Sequence, residues 1–298
     1  MGIRVRIAGT PEELRDLFRV RYEVLVGGGY MTGNTHGMIV DAYDAFPGVT
    51  NLIATLDGTV IGGLRLEAPS PCGVSADDLY DFSSLILAPE TTGGGSRGCV
   101  LPQYRRAGLY RTLFKMLHYI AVLKGMTHLR GSANPEVVPL MQALGWRIVG
   151  EPVVAEGLDV VPMMLDLLSA DTSLTGFTEH QELNGFEDTF ERVFFAADER
   201  VVHADSVGDE AYLVIEGEAV ASLPGGTRPL VPGDVFGELA VLTESRRTVN
   251  IDAVTDLELM SLSREQLEKQ LVTRPEQALR LLRMLLSRYR ADITTAPG

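Results

Sequence analysis

The chain has 298 residues, 45% of them apolar and 22% charged, with a net charge of −14 and only two cysteines. At ~100–200 residues per domain this is two globular domains, and no apolar run approaches the ~20 residues that span a membrane. The N-terminus lacks the apolar core of a secretory signal, and Cys72 and Cys99 suit a reducing compartment, so a cytoplasmic protein without a cysteine-built metal site is expected.

The five histidines show no ligand spacing, and no metal is expected. Charge is unevenly distributed. Residues 1–170 carry a net −3 and residues 171–298 a net −11, which argues against nucleic acid as a partner. Residues 91–135 hold seven basic residues and no acidic one. That local imbalance is suited to an acidic protein partner.

In chain order, Thr10–Gly27 reads as an amphipathic helix, with Thr10 as N-cap, Pro11 in the first turn, and Leu14, Leu17, Phe18, Tyr22 and Leu25 on one face. Arg21 falls within it. A polar segment with Asp41 and Asp44 follows, then strands Asn51–Asp57 and Thr59–Glu67 about the Asp57-Gly58 turn. Residues 68–95, with three prolines and three consecutive glycines, read as loop. Ser96–Leu101 reads as a strand, followed by a basic turn and a helix to about Lys124. His128–Ser132 is a strand, Pro135–Leu144 a helix, and Trp146–Val149 and Val160–Leu168 are strands.

This order is that of the GNAT-type N-acyltransferase fold. The segment from Val100 through Leu101, Tyr104, Arg105, Arg106, Gly108 and Leu109 resembles that fold's acyl-thioester-binding turn. There, exposed amides at a helix start meet a phosphopantetheine or pyrophosphate. Tyr110 departs from the pattern, standing where acetyl-CoA enzymes carry a small residue. Arg21-Tyr22-Glu23-Val24, Asp41 with Asp44, Gly63-Leu64-Arg65-Leu66 and Ser96-Arg97 resemble, in the same order, autoinducer synthases and N-acyl amino acid synthases. The resemblance implies transfer of an acyl group from acyl carrier protein or acyl-CoA to an amine. Arg21, Asp41, Asp44 and Arg65 would line the acceptor side, and Arg97 would lie beside the thioester. The acidic residue these families place just before the Ser-Arg pair is replaced by Gly94-Gly95, so no general base is assigned. An ion-pair network that only stabilises the fold is the competing reading of Asp41, Asp44 and Arg65.

Ala170–Gly176 reads as a linker, and Phe177–Phe190 as a short helical entry to a second domain. Strands follow at Arg192–Phe195, Arg200–His203, Ala211–Glu216, Glu218–Leu223, Arg228–Val231, from about Thr248, and at Leu257–Ser263. Ser263 and Gln266 form a capping box, and Pro275–Arg290 is a last helix. Gly237 opens a short helix, which places free amides before an anion; Glu238 can accept from a sugar hydroxyl; Arg247 offers a planar fork to a phosphate. Phe236-Gly237-Glu238-Leu239-Ala240 with Arg247-Thr248 resemble the phosphate-binding cassette of cyclic nucleotide-binding domains, and the upstream stretch from Gly208-Asp209 to Gly217 resembles that family's hairpin. That resemblance implies cAMP or cGMP as an allosteric ligand, with Glu238 on the ribose hydroxyl, Arg247 on the cyclic phosphate, and Tyr289 as a residue able to cover the base. No helix-turn-helix pattern follows, which weighs against a transcription regulator.

The expected fold is α+β, with residues 1–169 a GNAT-like domain, 170–176 a linker and 177–298 a cyclic nucleotide-binding jelly roll. The expected function is a cyclic-nucleotide-regulated N-acyltransferase acting on an amine such as an amino acid, with a second copy of the chain, forming a homodimer, among the candidate partners. A cAMP-gated acetyl-CoA-dependent lysine or small-amine acetyltransferase, and a non-catalytic acyl-ligand sensor, remain open as alternatives.

Overall fold

In the computed structural model, residues 2–105, 107–155, 157–169 and 191–273 are described. The chain divides into two compact units, residues 3–181 and residues 182–298 together with the first two. The expected linker, the helical entry after it, the helix Pro275–Arg290 with Tyr289, and Arg106 lie outside the described residues.

The first unit is built on one mixed sheet. Strands β1 (Ile3–Ile7), β2 (Thr50–Leu56), β3 (Thr59–Glu67) and β4 (Thr92–Val100) pair antiparallel in that order. β4 then pairs parallel with β5 (His128–Ala133), and β5 antiparallel with β8 (Leu158–Asp166). β6 (Arg147–Ile148) and β7 (Val153–Ala155) pair with β8. Helix α1 (Pro11–Gly27) is held at its start by a capping box between Thr10 and Glu13. α2 (Ala107–Leu123) and α3 (Val138–Ala143) complete the unit. Because side chains alternate across a strand, α1 and α2 take opposite faces. A Cβ on Gly63 would meet Leu17 of α1, whereas one on Gly95 would meet Leu117 of α2.

Two differences from the sequence reading follow from packing. β1 went unread because its five residues, IRVRI, alternate with arginine and give too short an apolar signal. β4 begins at Thr92 rather than Ser96, so the glycine run lies within the strand instead of a loop. A Cβ on Gly93 would lie 2.6 Å from the Glu67 carbonyl and Met126 sulfur, and one on Gly94 would lie 2.9 Å from Val74. These glycines are demanded by what covers the strand, not by a turn.

The second unit is β-rich. One sheet runs β14 (Val235–Phe236), β11 (Glu210–Glu216), β16 (Leu257–Ser263), β9 (Glu191–Phe195). The other runs β10 (Arg200–Val202), β15 (Asn250–Ala253), β12 (Ala219–Leu223), β13 (Gly226–Leu230). Val193, Tyr212, Val214 and Leu259 from the first sheet share a core with Val202, Ala219, Ala221 and Ile251 from the second. A short helix, α4 (Glu238–Thr243), and α5 (Arg264–Thr273) complete it. No described helix is long and apolar enough to cross a membrane.

Candidate functional site

On the α1 face of the first unit, charged side chains from four parts of the chain meet. Arg21, on α1, donates to Asp44 at 2.9 Å and also to Asn51. Asp41 caps a 3₁₀ turn, Ala42–Ala45, in a capping box that also uses Asp44. Arg65, fully buried on β3, grips both oxygens of Asp41 at 2.6 and 3.1 Å, lies 2.9 Å from Asp44, and donates through Nε to Glu67 and to the Ser96 hydroxyl. Arg97 donates to Asp41 from Nε and Nη2, at 3.0 and 2.8 Å.

Three guanidinium groups thus face three carboxylates, which is how buried charge is tolerated. The network is graded in exposure. The side chains of Arg21, Arg65, Asp44 and Glu67 are 0 to 3% exposed, whereas Asp41 is 23% and Arg97 26% exposed. Only the Asp41–Arg97 pair reaches open space. Burial raises the Asp41 carboxyl, but the hydrogen bonds and charges of Arg65 and Arg97 outweigh it and hold the group at about 2. Burial also lowers Arg65, but Asp41, Glu67 and Asp44 overcome this and raise it.

Arg97 owes its direction to a bulge. Gly63 pairs with Cys99 and Arg65 with Ser96, so two residues on β4 oppose one on β3, and Arg97 has a positive φ of 56°. Past the pairs Thr92–His128, Gly93–Leu129 and Gly94–Arg130, the parallel ladder between β4 and β5 ends. A fork therefore opens beside the bulge. Beyond β4, the turn at Leu101–Arg105 leads to the start of α2, and Arg105 donates back to the Val100 carbonyl at 3.2 Å. Gly108 and Leu109 lie in the first turn of α2, with Leu109 fully buried. Tyr110 packs against Phe114, and a Cβ on Gly98 would lie 3.7 Å from its ring, so the tyrosine covers the bulge from the α2 side.

Glu67 is the residue that sequence reasoning missed. It accepts from the Ser96 hydroxyl and from both the amide and hydroxyl of Ser75 at 2.7 Å. It thus places a carboxylate against the Ser-Arg pair from the neighbouring strand. The signal was present: Glu67 follows Arg65 by two positions on one strand and so shares its face.

In the second unit, Arg247 is 7% exposed and donates to the carbonyls of Gly237 and Glu210, with Tyr212 beneath its guanidinium at 5.8 Å. Two glycines make this seat. A Cβ on Gly208 would lie 2.0 Å from Arg247 Nε, and one on Gly237, whose φ is +78°, 2.3 Å from Nη1. The bond to the Gly237 carbonyl sets the guanidinium beside the residue that precedes Glu238. Glu238 is 5% exposed, while Leu239 and Thr248 are exposed at the surface. Phe236 packs on Tyr212, with ring centroids 5.4 Å apart.

Each of the two units matches a known protein family. The sequence model of the N-acyl amino acid synthase FeeM matches residues 16–166, and that of the cyclic nucleotide-binding domain residues 192–274. A CRP-like cAMP-activated global transcriptional regulator of Mycobacterium tuberculosis is 32% identical over 105 residues, covering 30% of this chain and 47% of the regulator. The match thus spans about half the length of that regulator and less of the other curated relatives. Among solved structures, the CoA-dependent acyl-homoserine lactone synthase BjaI, with SAM and isopentyl-CoA, aligns at 18% identity and TM-score 0.50, over 62% of this chain and 92% of its own. FeeM from uncultured soil microbes aligns at 16% identity and TM-score 0.48, over 56% and 92%. The BjaI likeness bears on the fold. The two sequence matches bear on family: the chain belongs to the N-acyl amino acid synthase FeeM family and carries a cyclic nucleotide-binding domain in the same polypeptide.

Proposed function

We propose that the first unit transfers an acyl group from an acyl thioester, carried by acyl carrier protein or CoA, to the amine of an amino acid. Cyclic nucleotide bound by the second unit sets the rate. The observation that carries the reading is the Asp41–Arg97 pair, the sole solvent-reaching end of a charge-balanced buried network, beside the β4 bulge. Arg97 suits the acceptor's carboxylate, and Asp41 suits its ammonium. The thioester enters along β4 from the start of α2, where Arg105, Gly108 and helix amides meet its phosphate-bearing arm. At the bulge the ladder is broken, and strand amides there can polarise the carbonyl. The ammonium first gives up one proton; the neutral amine then attacks that carbon, a C–N bond forms, the C–S bond breaks, and the proton shed by the nitrogen goes to the sulfur, which leaves as a thiol. Held at about 2, Asp41 anchors an ammonium better than it removes a proton. The ammonium's proton therefore departs to water at the exposed end.

In the second unit, Arg247 with the Gly237 and Leu239 region takes the cyclic phosphate, and Glu238 the ribose 2′-hydroxyl. cAMP is the ligand named for the regulator matched above, and cGMP is the competitor to be tested beside it. The test is acyl transfer from long-chain acyl carrier protein and acyl-CoA to a panel of amino acids, with and without each nucleotide. Amide product that depends on Arg97, at a rate altered by one nucleotide, is expected. Absence of product with every thioester refutes the transferase, and a rate indifferent to saturating nucleotide refutes the regulation.

A further inference from the structure

Just past the last β4–β5 pair, the facing residues are Gly95 and Gly131, and one aromatic ring closes the fork between them. A Cβ on Gly131 would lie 3.2 Å from the ring of Trp146 and 2.9 Å from the Gly95 carbonyl. A Cβ on Gly95 would lie 3.5 Å from the same ring and 3.6 Å from Leu117. Trp146 is 2% exposed and is the only tryptophan in the chain. Its Nε1–H donates to Nε2 of His118 at 3.0 Å, and Phe114 meets it edge-on at 6.4 Å. His118 is itself 4% exposed, and burial pushes it down to about 3, so the imidazole stays neutral and can accept from the indole. Its Nδ1 has no hydrogen-bond partner among the described residues. The ring is therefore oriented from one side by a neutral acceptor, at the vertex of the fork.

We infer that Trp146 sets the length of acyl chain the enzyme accepts, and that His118 is the positioning residue that holds its ring across the fork. The inference rests on the acyl-transfer reading above. A thioester entering from the start of α2 with its carbonyl at the Arg97–Gly98 bulge points its chain toward the N-terminal end of β4. Two to three residues separate the bulge from Gly95, a distance of ~7–10 Å at ~3.3 Å per residue. Shorter chains end before the indole. Longer ones press on it, and each methylene that fits or fails is worth roughly 10–200-fold in discrimination.

The experiment uses the full chain with acetyl, hexanoyl, decanoyl and tetradecanoyl-CoA, and reads two quantities: kcat/KM for each donor and the emission of Trp146 as each donor is titrated. Emission is expected to move with the longer donors and not with acetyl-CoA. Trp146→Leu is expected to raise the tetradecanoyl-to-hexanoyl ratio of kcat/KM by about tenfold or more. Gly95→Ala adds a methyl at ordinary contact distance from the ring, so it folds, and it is expected to lower that ratio by a similar factor. It decides the question alone if Trp146→Leu fails to fold. His118→Gln keeps an acceptor and the wild-type profile, whereas His118→Leu flattens it. Variants that scale every donor by one factor reduce Trp146 to core packing and overturn the inference while leaving the transferase intact. If the wild type turns over none of these donors, nor the same chains on acyl carrier protein, and its emission responds to none, the transferase reading itself falls.

Discussion

Arg65 and Arg97 share a partner, Asp41, yet the structure predicts opposite consequences for removing them. Arg65 is fully buried among Asp41, Asp44, Glu67 and Ser96. Arg65→Met leaves three carboxylates facing two guanidinium groups, a net buried negative charge. Breaking a buried ion pair from one side costs about 3–5 kcal/mol, a third or more of a domain stability of about 5–15 kcal/mol. Arg97 is 26% exposed and ends the network at solvent. Arg97→Ala should cost only ~0–1 kcal/mol in stability, while losing ~100-fold or more in kcat/KM if it meets charge on the reacting groups. Trp146, the only tryptophan, lies in the first unit, so its emission under urea reports that unit's unfolding in the full chain. The loss in Arg65→Met should shrink as pH falls, because protonation relieves the orphaned carboxylates. If Arg65→Met costs less than about 1 kcal/mol, or Arg97→Ala costs as much as Arg65→Met, the graded network is not what holds this face together.

Three further outcomes follow from the geometry. Arg247→Ala removes the guanidinium seated on Gly237, Glu210 and Tyr212; with charged hydrogen bonds worth about 1.5–3 kcal/mol each, calorimetry should show cAMP binding weakened by ~100-fold or more. The Trp146 unfolding transition should stay unchanged. Asp41 sits at about 2 against an ordinary 3.8; because the folded value is the lower one, its stabilisation is complete above the ordinary value and is lost as pH falls toward the folded one. That loss, about 2 kcal/mol between about pH 4 and 2, should be absent in Asp41→Asn. Gly94→Ala puts a methyl 2.9 Å from the Val74 side chain and 3.0 Å from Glu67, an overpacking of about 1–3 kcal/mol; Gly27→Ala meets nothing within 4 Å and should be neutral or slightly stabilising in the same urea assay.

Much of the site was legible because short charged motifs recur in the same order as in the families the chain resembles. Arg21, Asp41, Asp44 and Arg65 were read on the acceptor side and Arg97 beside the thioester; the structure joins all five in one charge network, buried at Arg21, Asp44 and Arg65 and partly exposed at the Asp41–Arg97 pair. What escaped is what depends on partners distant in sequence. Glu67 looked like the last residue of a strand, and only the pairing of β3 with β4 sets it against Ser96. The glycines at 93–95 looked like a loop because local propensity has no knowledge of Glu67, Met126 and Val74 pressing on both faces. Gly208 and Gly237 were read as turn and cassette glycines; their closeness to Arg247 shows that each also makes room for a guanidinium. Trp146 was read as a strand residue, its place at the fork set by tertiary packing alone.

If cyclic nucleotide changes acyl transfer by changing donor binding, thermodynamics fixes a reciprocal effect. A nucleotide that alters donor affinity by some factor must have its own affinity altered by the same factor when donor is bound. Couplings of about 1–3 kcal/mol, or 5–150-fold, are usual, well within what calorimetry resolves. cAMP should therefore be titrated into the full chain with and without saturating decanoyl-CoA. A Kd that moves by at least fivefold, matched by an equal shift of decanoyl-CoA affinity under saturating cAMP, makes the two sites parts of one equilibrium. Equal Kd values in both titrations, with turnover still altered by nucleotide, would confine the control to the chemical or release step, where no reciprocity is required. Equal Kd values with unaltered turnover would leave two independent domains that happen to share a chain.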